Sequence, residues 1–342
     1  MYKAIIRPIL FLLSPETIHQ LVVVFIKTFY RIPGFPFLLR ANYKITDPEL
    51  EKEVFGLKFP NPVGLAAGFD KNAELFKEFR SFGFGFIEIG TVTPKPQSGN
   101  PKPRSFRLPK DKALINRMGF NNLGVDAAIK KLQSRPKGFI IGGNIGKNTL
   151  TPNDKAVDDY EYCFQRLYDY VDYFVINVSC PNISDMKELQ DQDMLTAILR
   201  KIVAVRAQKQ PMKPVLLKVS PDLNEKQVDE TILLVKKTGI DGIVATNTTI
   251  SRKDLTTSAA RVNSLGQGGL SGAPISERSN EMIRYIKDKT KGELPVIGVG
   301  GIMSVQDAKD KLDAGADLLQ IYTGFIYQGP GFVKKILKGI KS

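Results

Sequence analysis

The sequence predicts a (β/α)8 TIM barrel, an α/β fold, preceded by a short N-terminal helical hairpin. Three observations lead there. From Asn61 onward, eight short runs rich in β-branched residues alternate with amphipathic stretches of helical period. Nearly every run ends in polar or glycine-rich sequence, the end at which barrel enzymes carry their chemistry. At 342 residues with 42% hydrophobic side chains, the chain is long and apolar enough to bury one large core.

The first forty residues hold two apolar clusters, Ile5 to Leu13 and Leu21 to Ile26, separated by Ser14-Pro15-Glu16. An N-cap serine, a proline at the first helical position and an acidic first turn start a helix, so two short helices and a bend are expected. Neither cluster reaches the ~20 apolar residues of a membrane span. No small-residue cleavage site follows the first, which argues against a signal peptide. Lys3, Arg7, Lys27, Arg31 and Arg40 against Glu16 alone, with Phe11, Phe25, Phe29, Phe35 and Phe37, suit a helix pair lying on an anionic membrane surface. Packing onto the chain's own domain is the alternative.

Strands are then expected at 63–67, 85–90, 139–144, 173–178, 215–219, 242–246, 296–299 and 318–322. Helices are expected at 70–82, 154–170, 189–206, 225–238, 275–288, 304–314 and 332–340. Eight strands, each followed by a crossover, close into a barrel; a doubly wound open sheet is the alternative. The expected organisation is a segment 1–40 and a barrel 41–342.

Composition narrows the chemistry. Lys+Arg 49 against Asp+Glu 35 gives a net charge of +14, which favours anionic partners without choosing among them. Two cysteines, Cys163 and Cys180, make no disulfide framework or zinc site, so a reducing, cytoplasmic location is the default. With His19 as the single histidine, a His-based metal site is excluded and proton transfer falls to another residue type. No aromatic-basic nucleic-acid module is visible, and no nucleic-acid partner is expected.

Gly300-Gly301 after the seventh strand and Thr323-Gly324 after the eighth match the phosphate cradle of barrels, where backbone N–H groups approach an anion. Gly146-Lys147 lacks the flanking residues of a P-loop, and Gly298-Val299-Gly300-Gly301 does not complete GxGxxG. What remains is a positive, amide-rich pocket with Lys71 and Lys218 as cations and Asn116, Asn144, Asn177, Asn182 and Asn247 as amides. Amides suit a planar ring of alternating C=O and N–H groups, and lysine suits a carboxylate or an electron-rich isoalloxazine. A flavin and a heterocyclic substrate follow.

These motifs resemble one family, dihydroorotate dehydrogenase, in its quinone-using, membrane-associated class. The likeness is carried by Gly64-Leu65-Ala66-Ala67-Gly68, Glu88-Ile89-Gly90-Thr91-Val92-Thr93-Pro94, Asn116-Arg117-Met118-Gly119-Phe120-Asn121, Ala245-Thr246-Asn247-Thr248-Thr249 and Gly298-Val299-Gly300-Gly301-Ile302, in order. The resemblance implies FMN held by Ala67, Gly68, Phe69, Asp70, Lys71, Thr91, Asn144, Asn177, Lys218, Thr246, Gly272, Gly301, Tyr322 and Thr323. It implies dihydroorotate or orotate held by Lys71, Asn116, Arg117, Met118, Gly119, Phe120, Asn177, Asn182, Asn247 and Thr248. It also implies a base that takes the C5 proton, hydride transfer from C6 to flavin N5, and a membrane quinone reached near His19, Arg107 and Tyr322. Pyrimidine biosynthesis and peripheral attachment to the cytoplasmic face of the cell membrane are the corresponding setting.

One departure stands out. The quinone class usually has serine as base, within Ser-Ser-Pro-Asn-Thr, whereas this chain reads Ser179-Cys180-Pro181-Asn182-Ile183. Cysteine there looks like the soluble, fumarate- or NAD-using class, and Ile183 replaces a threonine that helps relay the proton. The changes agree: a thiol of reference pKa ~8.5 is partly ionised near neutral pH and needs less help than a hydroxyl. Cys180 is therefore the expected base, Cys163 a buried hydrophobe, and 185–193 the lid. A fumarate-using enzyme, another FMN barrel oxidoreductase and a basic membrane- or nucleic-acid-binding protein stay as alternatives.

Overall fold

The computed structural model describes residues 2–178 and 188–341. Eight parallel strands close a barrel: β3 (Val63–Leu65), β4 (Phe86–Val92), β7 (Ile140–Ile145), β8 (Tyr173–Asn177), β9 (Val215–Val219), β10 (Gly242–Ala245), β12 (Val296–Val299) and β13 (Leu318–Ile321). All eight predicted strands are present, with ends within two residues of those expected. β13 pairs back to β3 through Leu319↔Val63, leaving no barrel edge exposed.

The strands read as apolar runs because both faces are covered. Phe59, Phe86, Tyr173, Val175, Leu216, Val244 and Leu318 fill the barrel interior. The rings of Phe86 and Tyr173 lie where Gly64 and Gly142 leave room, since a Cβ on these glycines would meet them at 2.4 and 2.2 Å. A larger layer, including Ile87, Ile141, Phe174, Ile202, Ile283 and Ile336, lies between strands and helices.

Elements beyond the predicted set frame the barrel. β1 (Lys52–Val54) and β2 (Leu57–Phe59) form a hairpin whose Phe59 meets Phe86 edge to face and closes one mouth. At the opposite mouth, β5 (Ser105–Leu108), β6 (Ala113–Asn116) and β11 (Gly269–Gly272) make a three-stranded antiparallel sheet from the segments after β4 and β10. Short periodic stretches of this kind give little signal against the longer barrel pattern. The helix Val125–Leu132 was also not anticipated, and the helix expected over 70–82 spans only Phe76–Ser81. Asp70 explains the shortening: its carboxylate accepts from the Glu74 and Leu75 N–H groups at 2.7 and 2.8 Å and holds 70–75 as a turn.

The N-terminal segment folds as expected into a bent helical pair, Tyr2–Phe11 and Pro15–Tyr30 meeting at 117°. Ser14 caps the second by accepting from the Thr17 N–H. A third helix, Phe35–Tyr43, follows and crosses position 40. No single described helix is long and apolar enough to span a membrane.

Candidate active site

The strand C-termini and the three-stranded sheet enclose one cleft of about 1830 Å³. Pockets for one drug-sized ligand run to ~300–1,000 Å³, so this one has room for a nucleotide-sized cofactor and a second small molecule.

A hydrogen-bonded chain runs from behind its wall to its floor. Glu88, wholly buried in the middle of β4, accepts from Asn144 Nδ2 at 2.7 Å and from Gln320 Nε2 at 2.6 Å. Asn144 Oδ1 in turn accepts from Thr91 Oγ1 at 2.6 Å and Asn177 Nδ2 at 3.2 Å. Asn177 Nδ2 also donates to Thr91 Oγ1 at 2.9 Å, and Asn177 Oδ1 accepts from Asn247 Nδ2 at 3.0 Å. The residues come from the adjacent strands β4, β7 and β8, from β13 two places beyond β4, and from the segment just after β10.

Two lysines make the cleft positive. Lys218, beside Asn177 in the β8–β9 ladder, is buried and has no hydrogen-bond partner among the described residues. Burial pulls its pKa below the ordinary lysine range, and the charge of Glu88 opposes this. Lys71 follows β3 and donates to Asn121 Oδ1. Burial, then repulsion from Arg104, lowers its pKa to about 8.

The other end of the cleft is built for backbone donors. Gly300 and Gly301 have φ of +118° and +79°, and a Cβ on Gly301 would lie 2.2 Å from Ser276 Cα. Their N–H groups have no partner among the described residues. The hydroxyls of Ser271 and Thr323 hydrogen-bond at 2.8 Å close by. A free buried ammonium at one end and free N–H groups on a cradle too tight for a side chain at the other fit a flavin mononucleotide: a cation for the ring system, an anion site for the phosphate.

Most predicted site residues reach this cleft. Ala67, Gly68, Thr91, Lys218, Thr246 and Gly272 line it, as do Asn177, Tyr322 and Thr323. On the side of the antiparallel sheet stand Lys71, Asn116, Met118, Gly119, Phe120, Asn247 and Thr248. Asn144 lies behind the wall, and Gly301 just behind Gly300. Arg117 lines the cleft, but its guanidinium serves the carbonyls of Leu265, Gln267 and Pro103. Phe69 and Asp70 turn away from the cleft, Asp70 to its turn and Phe69 into an aromatic cluster with Tyr322 and Phe325. Cys180, Asn182 and Ile183 lie outside the described residues, as do positions 185–187 of the expected lid, while 188–193 begin the helix Glu188–Arg206.

The N-terminal helices dock beside the cleft. Arg104 grips Glu16 through two hydrogen bonds of 2.7 and 3.2 Å, and this pairing holds the Glu16 carboxyl below its usual pKa. Arg107 donates to the carbonyl of Leu13 at 2.6 Å and covers the Phe11 ring. His19 meets the edge of Phe69, which in turn meets Tyr322 on the cleft wall.

A family model described as dihydroorotate dehydrogenase matches residues 49–342. The chain belongs to the dihydroorotate dehydrogenase family. The dihydroorotate dehydrogenase (quinone) of Christiangramia forsetii is 53% identical over 98% of this chain and 97% of its own length. That of Thermosynechococcus vestitus is 45% identical over 99% of this chain and 96% of its own. Among solved structures, the DHODH of Eimeria tenella in complex with ferulenol superposes with a TM-score of 0.84 at 36% identity, covering 96% of this chain and 90% of that one.

Within this dihydroorotate dehydrogenase fold, sequence reasoning missed the partners that hold the site in place. Glu88 and Gln320 were hidden inside strands, although a carboxylate between Ile87 and Ile89 is itself a signal, since a buried charge needs partners. Arg104 and Asn121 gave no such signal, because their contacts with Glu16 and Lys71 cross 88 and 50 positions of sequence.

Proposed function

We propose that this chain is a quinone-dependent, FMN-containing dihydroorotate dehydrogenase of pyrimidine biosynthesis, working as a peripheral membrane protein at the cytoplasmic face of the cell membrane. The observation that carries the reading is continuity: one cleft joins a flavin-sized cradle to an amide-lined pocket, and the Phe69–Tyr322 pair joins that cleft to His19 on the N-terminal helices.

A bound FMN would supply the two-electron chemistry that links oxidation of dihydroorotate to reduction of a quinone. Gly272, Gly301 and Thr323 would hold its phosphate, and Lys218, Asn144, Asn177, Thr91 and Thr246 its ring. Lys71 neutralises the substrate carboxylate, while Asn116, Asn177, Asn182 and Asn247 align the ring amides and imides. Cys180 takes the C5 proton as the hydride leaves C6, so both C–H bonds break on one substrate held by fixed donors.

The N-terminal segment, 1–40, is the membrane and quinone unit. Its helices leave Ile5, Ile9, Leu12, Val24, Phe25 and Phe37 exposed beside basic residues, the pattern of an interfacial amphipathic pair. His19, Arg107 and Tyr322 would line the quinone path.

Denaturing the purified protein and identifying any flavin it releases tests the cofactor assignment. One FMN per chain is expected; a colourless preparation that takes up no FMN would refute it.

A further inference from the structure

The Glu88 carboxylate contacts neither mouth of the cleft, yet the whole amide chain starts from it. An asparagine side chain has one acceptor and one two-proton donor, and either end would fill the same volume. A carboxylate removes that freedom, because ionised it only accepts. Asn144 must turn Nδ2 toward Glu88 Oε1, 2.7 Å away, and so Oδ1 toward Thr91 and Asn177. Asn177 then must turn Nδ2 toward that oxygen, which leaves its Oδ1 to accept from Asn247 Nδ2 at 3.0 Å. Asn247 is left presenting Oδ1 and its second N–H proton, and neither has another partner among the described residues.

We propose that Glu88 is a positioning residue that sets the donor and acceptor polarity of Asn144, Asn177 and Asn247. It thereby makes the pocket selective for a ring that offers an N–H to Asn247 Oδ1. The proposal rests on the functional reading above. Its second partner gives the network a useful asymmetry. Gln320 donates Nε2 to Glu88 Oε2 at 2.6 Å, while its Oε1 is buried without a hydrogen-bond partner. Replacement of Glu88 by glutamine is therefore absorbed on that side: the new NH2 faces Gln320, which rotates to accept it, and an oxygen is kept for Asn144. An apolar residue keeps none, and both replacements remove the charge equally.

The test is orotate affinity, read from the change orotate causes in the bound-flavin absorbance of the full-length holoenzyme. Glu88→Met should weaken orotate by about tenfold or more, the scale of a buried polar group left unpaired. Glu88→Gln should stay within about threefold of wild type, with flavin content unchanged in both. Glu88→Ala, which cannot clash, carries the same expectation as Met and replaces it if Met does not accumulate folded. Wild-type affinity in the apolar variants would overturn the proposal. So would equal losses in Gln and the apolar variants, since charge rather than amide polarity would then be at work. If wild-type holoenzyme gives no response to orotate, the substrate assignment fails instead.

Discussion

His19 and Phe69 meet edge to face, with ring centroids 5.1 Å apart and planes at 76°. Phe69 repeats that geometry with Tyr322 at 5.4 Å, so an unbroken aromatic path leads from the N-terminal helices to the cleft wall. Burial, reinforced by the Lys71 charge, lowers the His19 pKa, keeping the imidazole neutral at pH 7 and suited to an uncharged acceptor.

Removal of residues 1–40 should therefore separate the two half-reactions. Anaerobic reduction of the flavin by dihydroorotate should persist within a few-fold, while turnover with a short-chain quinone should fall to background. Stopped-flow and steady-state assays on the truncated and full chains check this, and unchanged quinone kinetics would remove the N-terminal helices from the electron path.

Lys71 should give the reaction a pH limit. Its pKa of about 8 lies below that of free lysine, so the charged form is present below pH 8 and is lost as pH rises through it. As the proposed partner of the substrate carboxylate, it should impose a falling limb on kcat/KM, which reports free-enzyme ionisations, with a midpoint near 8. Lys71→Met should lower kcat/KM about 10- to 100-fold, the usual loss of a charged hydrogen-bond partner, and abolish that limb.

For Cys180 the expected signature is kinetic. Cys180→Ala should slow flavin reduction by dihydroorotate about 10²-fold or more, the scale of general-base catalysis, with FMN still bound. Cys180→Ser, without the relay hydroxyl that Ile183 replaces, should recover little. Near wild-type reduction in the alanine variant would remove the base assignment.

The barrel was legible because eight strands buried on both faces leave eight apolar runs, and because catalytic barrels concentrate polar residues at strand ends. The site was legible where a residue type is itself unusual: Lys218 within Val215–Val219, or Gly300-Gly301 after a strand. Phe69 and Asp70 show the limit. Their place in a motif tied them to the cofactor, but a carboxylate next to free N–H groups caps its own turn, and a phenyl ring beside Phe79 and Phe325 joins the core. The antiparallel sheet and the Arg104–Glu16 clamp depend on pairings distant in sequence, which local periodicity does not encode.

The most direct test of the account is to reduce the full-length protein anaerobically with dihydroorotate and follow reoxidation of its flavin by a short-chain ubiquinone or menaquinone against fumarate. Fast reoxidation by quinone and none by fumarate is the predicted result. It would mean that a cysteine base operates within a quinone-using scaffold. Fast reoxidation by fumarate with no response to quinone would contradict the account, and would leave the N-terminal helices to attachment or packing alone.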